Sequence, residues 1–180
     1  MKTNRAILVF QQVYNLDLAL SSKMNKACHY YYLRQFFRGI SRLGDGVFWY
    51  VLMLLLPVYY GYTGLEASTH MLLAAGVALL IYKVVKTKTS RLRPVEYDTG
   101  IVQGTIALDK YSFPSGHTLQ AVCFSMVALN YFPQLWVLLI PFTLLIAMSR
   151  VILGLHYPTD VIAGALIGMS VAYGSLFSFV

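Results

Sequence analysis

At 180 residues, with a mean hydropathy of +0.62 and only 12% charged residues, the chain is too apolar for an ordinary soluble domain and belongs in a bilayer. Its formal charge of +7 does not point to nucleic acid, because the cations border apolar runs and no nucleic-acid motif accompanies them; membrane lipid is the expected partner. Cys28 and Cys123 sit in unlike segments with no C-x-x-C or metal-ligand spacing, so neither a redox pair nor a metal site is expected.

Residues 1–45 carry Lys2, Arg5, Lys23, Lys26, Arg34, Arg38 and Arg42 against Asp17 and Asp45. They read as a basic amphipathic segment set apart from a membrane-embedded core over 46–180. The apolar run Ile7 to Phe10 is broken at once by Gln11 and Gln12, which argues against both a signal peptide and a span. On a helix of about 3.6 residues per turn, Arg34, Arg38 and Arg42 form one stripe and Leu33, Phe36, Phe37 and Ile40 the opposite face. The spacing predicts an interfacial helix with Tyr30, Tyr31 and Tyr32 at headgroup level. A cytosolic arm that simply obeys the positive-inside rule fits the same residues.

Charge-free runs place the spans, since a membrane helix needs roughly 20 mostly apolar residues. The first runs from Gly46 to about Thr63 and the second from Ala67 to about Tyr82. Tyr111 to Ser149 holds no Asp, Glu, Lys or Arg, is too long for one crossing, and splits near Asn130 and Pro133. The last runs from about Pro158 to Val180, with Pro158 suited to a first helical turn. The expected fold class is therefore an all-α integral membrane bundle of about five transmembrane helices plus an N-terminal interfacial helix.

Between the second and third spans lies a loop of about 20 residues, Pro94 to Phe113, long enough to suggest function. Three sequence blocks flank it or follow it: Lys86 with Arg93-Pro94; Pro114-Ser115-Gly116-His117; and Ser149-Arg150 with His156 and Asp160. Because successive spans alternate in direction, all three blocks converge on one membrane face.

Each block has an ordinary reading taken singly. The lysines and arginines of 83–93 suit a positive-inside flank, Ser115 suits a helix cap, Arg150 suits a snorkelling arginine, and Asp160 suits the helix dipole. Together they supply what phosphate chemistry requires. Ser115 and Gly116 can present backbone N–H groups at a helix start, Lys86, Arg93 and Arg150 are fixed cations, and Asp160 stands four residues beyond His156, where a carboxylate can hold one imidazole nitrogen and leave the other free to attack.

The pattern Lys-x6-Arg-Pro, Pro-Ser-Gly-His and Ser-Arg-x5-His-x3-Asp resembles that of the type 2 phosphatidic acid phosphatase (PAP2) family, which shares its site with the vanadium haloperoxidases. The resemblance covers about Lys86 to Asp160. It implies a PAP2-type helical bundle that hydrolyses lipid phosphates by a phosphohistidine mechanism needing no metal or other cofactor. It assigns His156 as nucleophile, Asp160 as its orienting partner and His117 as the acid for the leaving oxygen. Lys86, Arg93, Ser115, Gly116 and Arg150 would hold the phosphoryl oxygens. The implied substrates are phosphatidic acid, phosphatidylglycerophosphate, or polyprenyl phosphates and diphosphates; a haloperoxidase-like enzyme and a non-catalytic membrane scaffold are the alternatives.

The expected location is a bacterial plasma membrane. Bacterial relatives usually turn the site outward, yet here the site face carries every Lys and Arg while the opposite loops carry only Glu66, which the positive-inside rule places in the cytoplasm. Many bacterial members have six spans, so a further span within 1–45 and the oligomeric state both stay open.

Overall fold

The computed structural model describes residues 5–107 and 109–177. Lys2 and the end of the last expected span, 178–180, lie outside them. Among the described residues the chain is helical and contains no strand: α1 (Arg5–Asn25), α2 (Tyr31–Arg42), α3 (Phe48–Thr89), the single turn α4 (Pro94–Tyr97), α5 (Gly116–Tyr131), α6 (Trp136–Ile152) and α7 (Pro158–Leu176).

Three stretches are long and apolar enough to cross a membrane, namely Tyr31–Tyr97, Pro133–Ile152 and Pro158–Leu176. The first, at 67 residues, folds back on itself inside α3. Gly61 has φ 58° and ψ −130°, a conformation open to glycine and strained for a side chain, and the helix reverses there. The proof of reversal is a hydrogen bond. Ser68 Oγ donates to Met53 O at 2.8 Å, whereas on a straight helix two positions 15 apart would be separated by about 22 Å. The arms 48–60 and 62–89 match the first two expected spans, except that the second arm continues past Tyr82 through Lys83, Lys86 and Lys88 to Thr89. Long lysine stems permit this, because they carry their charge to the polar boundary.

At 16 residues, α5 is shorter than an ordinary span of roughly 20. It is the central helix, packed against α3, α6 and α7. Gly164 and Gly168 let α7 approach it closely: a Cβ on either would lie 2.4 Å from a carbonyl oxygen of α5's first turns, Ser115 O or Leu119 O respectively. Small residues four apart are a common means of close packing between membrane helices. Trp49, Met71, Leu119, Val127, Leu139 and Ile146 fill the main core. A smaller cluster of Cys28, Phe37, Ile152, Leu153 and Leu155 lies beneath the site end. Both cysteines are buried and unbridged. The outer surface is apolar, with Val58, Leu80, Val137 and Leu166 more than half exposed, as lipid contact requires.

The N-terminal region departs most from expectation. Gln11 and Gln12 do not end the helix; α1 runs through them for 21 residues. Its outward side chains are apolar, including Ile7, Phe10 and Leu16, while Asp17, Ser21 and Asn25 are buried. Four-residue spacing puts those three polar groups on one face, so α1 is inverted relative to a helix on a soluble core. Asn25 ties the long loop down: its Nδ2 donates to Val102 O at 2.8 Å and Ile152 O at 2.9 Å, and Val102 N donates to its Oδ1 at 2.8 Å. In α2, Leu33 and Phe36 stay exposed as expected, but Phe37 is buried and Arg38 turns inward to donate to Gly104 O from Nε at 2.9 Å and Nη2 at 2.6 Å. A second kink, with Gly46 at φ 141°, then redirects the chain into the first arm of α3.

Candidate active site

Each site residue sits at a helix terminus on one end of the bundle, and the local sequence explains why. Ser90 takes a left-handed conformation that ends α3 just after Lys86, and Arg93 follows in extended backbone, φ −76° and ψ 155°, as the residue before a proline prefers. Gly116 opens α5 beneath the Tyr82 ring, which a Cβ would approach to 2.8 Å. Gly154, at φ 74°, turns the chain after α6 so that His156 points back inward. Tyr157 N–H then donates to Asp160 Oδ2 at 2.8 Å, capping α7.

These termini surround a cavity of about 160 Å³ lined by Arg93, Gly116, His117, Arg150 and His156 among others. The remaining three expected residues stand behind that wall. Lys86 forms an ion pair with Asp109 at 2.8 Å. Ser115 is fully buried; its N–H donates to Asp160 O at 3.0 Å and its hydroxyl pairs with Thr118 at 3.0 Å. Ser115 therefore ties α5 to α7, where the sequence had its N–H facing an anion. Asp160 lies closest to His156 through Oδ2, 3.7 Å from Nδ1, beyond hydrogen-bond length. Its oxygens are taken by Tyr157 N–H and by Arg91.

The cations are held by the protein's own oxygens. Arg93 donates from Nη1 to Leu155 O at 2.7 Å and from Nη2 to Asp109 O at 2.9 Å and to the Asp109 carboxylate; the same Nη1 is 3.5 Å from His156 Nε2. Arg150 donates to Ser41 Oγ. His117 Nε2 meets the carboxylate of Asp45, and Tyr82 donates its hydroxyl to Asp109.

Burial, then the fields of Arg150, Arg93, Lys86 and His117, push His156 well below the ordinary histidine value. The imidazole is thus neutral at pH 7, the form that can attack. Burial works to raise Asp109, but its bonds from Lys86 and Tyr82 and the nearby charge of Arg93 outweigh that and hold its carboxyl below the usual range.

Sequence reasoning missed Asp17, Asp45, Arg91 and Asp109 as parts of the site. Asp109 had a signal in the charged, overlong loop, Asp45 a weaker one in its place between two glycines, and Arg91 was counted as flank. For Asp17 no local signal exists.

A helical membrane bundle that brings two histidines, two arginines and two carboxylates to the wall of a small cavity at one end, with Lys86 and Asp160 behind it, defines a class: membrane proteins with a buried, charge-lined site at a bundle end. Residues 67–179 match the PAP2 superfamily, and the chain belongs to it. Over 105 residues it is 34% identical to an undecaprenyl-diphosphatase of Sulfolobus acidocaldarius, an alignment covering 56% of this chain and 49% of that protein. Over 150 residues it is 28% identical to phosphatidylglycerophosphatase B of Bacillus subtilis, covering 77% and 71%. The crystal structure of Aquifex aeolicus LpxE superposes with a TM-score of 0.78 at 28% identity, covering 90% of this chain and 95% of that one. The chain spans about half the length of the Sulfolobus relative.

Proposed function

We propose that this protein is a membrane lipid phosphatase that removes a terminal phosphate, as monoester or diphosphate, from an amphiphile whose tail stays in the bilayer. The observation that carries the reading is the neutral, buried His156 with Nε2 beside Arg93, at a cavity that also holds His117 and Arg150. The relatives' names add an undecaprenyl diphosphate and a phosphatidylglycerophosphate as substrate types.

In this mechanism His156 Nε2 attacks phosphorus as the bond to the leaving oxygen breaks, and His117 gives that oxygen its proton. Arg93, Arg150, Lys86 and the Gly116 N–H stabilise the equatorial oxygens, the main task in phosphoryl transfer. Water, losing a proton to His117, then attacks the phosphohistidine; the P–N bond breaks, inorganic phosphate leaves and both histidines return to their starting states. Asp160, 3.7 Å behind the imidazole, acts on it through its charge.

The location we propose is a bacterial plasma membrane with the site end on the cytoplasmic side, where the Lys and Arg residues collect. The test of function is phosphate release by purified protein in detergent from phosphatidate, phosphatidylglycerophosphate and polyprenyl phosphates and diphosphates. Release that survives chelation and is blocked by vanadate supports the reading. Failure to release phosphate from any of them overturns it.

A further inference from the structure

The buried polar face of α1 reaches Arg91, the arginine that binds Asp160. Asp17 is 2% exposed. Its Oδ1 accepts the Thr159 N–H at 3.0 Å, and its Oδ2 accepts Arg91 Nη2 at 2.7 Å and the Thr159 hydroxyl. Through Nη1, Arg91 continues to Asp160 Oδ1 at 2.7 Å and to Thr159 Oγ1 at 2.8 Å. Its guanidinium lies 3.9 Å over the ring of Tyr157, and Tyr14 of α1 packs on that same ring at 6.1 Å. A planar fork with donors on both sides is what arginine offers and lysine does not.

We propose that Arg91, locked in place by Asp17, is a positioning residue of the reaction: it fixes Asp160 and offsets its charge, and so sets how firmly Asp160 holds the nucleophile His156. This rests on the phosphatase reading above and extends it to a helix outside the matched residues 67–179. A buried carboxylate beside an imidazole has two effects: it orients the ring, and it draws a second proton onto it, which would silence the nucleophile. With Arg91 on Oδ1 and Tyr157 N–H on Oδ2, Asp160 stands 3.7 Å from His156 Nδ1, so its position relative to the ring is fixed by those two bonds while Arg91 offsets the charge that would draw the second proton. Arg91 is not on the cavity wall, so substrate affinity is not its province.

The groups facing His156 are Asp160 from α7, Arg150 from α6, His117 from α5, Lys86 from α3 and Arg93 from the loop. Against that constant background, removing Arg91's charge raises the proton affinity of the His156–Asp160 pair, and removing Asp17's charge lowers it.

The experiment is the pH dependence of kcat/KM for lipid phosphate hydrolysis by the full chain in detergent. Arg91→Gln is expected to move the acidic limb up by about one pH unit, Asp17→Asn to move it the opposite way, and Arg91→Lys to leave the limb in place while kcat falls, with KM near wild type throughout. Titration of the His156 ring by NMR gives the same comparison without turnover, which separates failure of this inference from failure of the phosphatase reading. Shifts of opposite sign establish the role. An unmoved limb and ring titration in both Arg91→Gln and Asp17→Asn overturns it, whether kcat falls or not.

Discussion

Asp109 Oδ2 lies 2.8 Å from Lys86 Nζ, and the same carboxylate also takes Arg93 and the Tyr82 hydroxyl. Two of the cations assigned to phosphoryl oxygens are thus held by an oxyanion of the protein's own long loop. This holds the two cations in place, and on the phosphatase reading proposed above a substrate phosphate competes with Asp109 for them.

Asp109→Asn removes the competitor's charge. The side chain is 36% exposed, so the pairs it makes are partly screened and the gain is modest: inhibition by inorganic phosphate or vanadate is expected to tighten roughly three- to tenfold. Inhibition constants from steady-state assays check this, and weaker inhibition would show that Asp109 aligns the cations more than it blocks them. The carboxyl is held below its usual range. Its stabilising contribution is therefore fully present above about pH 4 and is lost only as pH falls through the lowered folded value, so the competition is constant across neutral pH.

His156→Ala and His117→Ala are expected to fail differently. The first removes the attacking nitrogen and abolishes turnover on every substrate. The second removes only the acid, so a phosphate ester with a good leaving group, such as p-nitrophenyl phosphate, still forms a covalent phosphoenzyme. Phosphate trapped on His117 would reverse the assignment. Because His156 is pushed below the ordinary histidine value, its free base persists into mild acid, and the acidic limb of kcat/KM is expected below about pH 6.5. The matching stability term has the opposite reading from a paired histidine: folding favours the neutral ring, so stability is retained at neutral pH and declines as pH falls through about 6.5 toward the lowered folded value.

A glycine outside the cavity wall, packed against the residues that form it, is expected to control its shape. A Cβ at Gly164 would stand 2.4 Å from Ser115 O, so Gly164→Ala must push α7 away from the first turn of α5, which carries Gly116 and His117. A loss of about 1–3 kcal/mol in stability, with a larger proportional loss of kcat, is expected. Gly174 has nothing within 4 Å of its would-be Cβ and serves as the control on the same helix. Thermal unfolding in detergent and kcat, measured side by side, decide it; equal behaviour of the two alanine variants would mean that α7 is free to shift without disturbing the site.

The three blocks were legible because ionisable residues are scarce in so apolar a chain, and the structure brings Lys86, Arg93, Ser115, His117, Arg150, His156 and Asp160 to helix ends on one side of the bundle. Hydropathy likewise revealed the arms of α3 and the break between α5 and α6. What stayed hidden depends on distance in space alone. Asp17 is 74 positions from Arg91, and Asp45 is 72 from His117; no periodicity links such pairs. The inward polar face of α1 was hidden for a related reason, since a helix bounded by lipid reverses the soluble pattern of apolar inside and polar outside. Gln11 and Gln12 therefore looked like an ending and were only interruptions.

Arg38 donates to Gly104 O, and Asn25 to Val102 O, so the N-terminal segment and the long loop must lie on one side of the membrane. Both native cysteines are buried, which leaves a low background for labelling with membrane-impermeant thiol reagents. In sealed vesicles, Arg42→Cys and Thr99→Cys, both at exposed positions, are expected to label from the same side. Thr63→Cys, exposed just past the Gly61 reversal, is expected to label from the opposite side. With the site end in the cytoplasm, Arg42→Cys and Thr99→Cys react only in inside-out vesicles. Reaction of that pair only in right-side-out vesicles would overturn the cytoplasmic assignment, and the physical reason is already present in the structure: Lys86, Arg91, Arg93 and Arg38 are bound to the protein's own oxygens and would have been counted as topology signals when their charge was already committed.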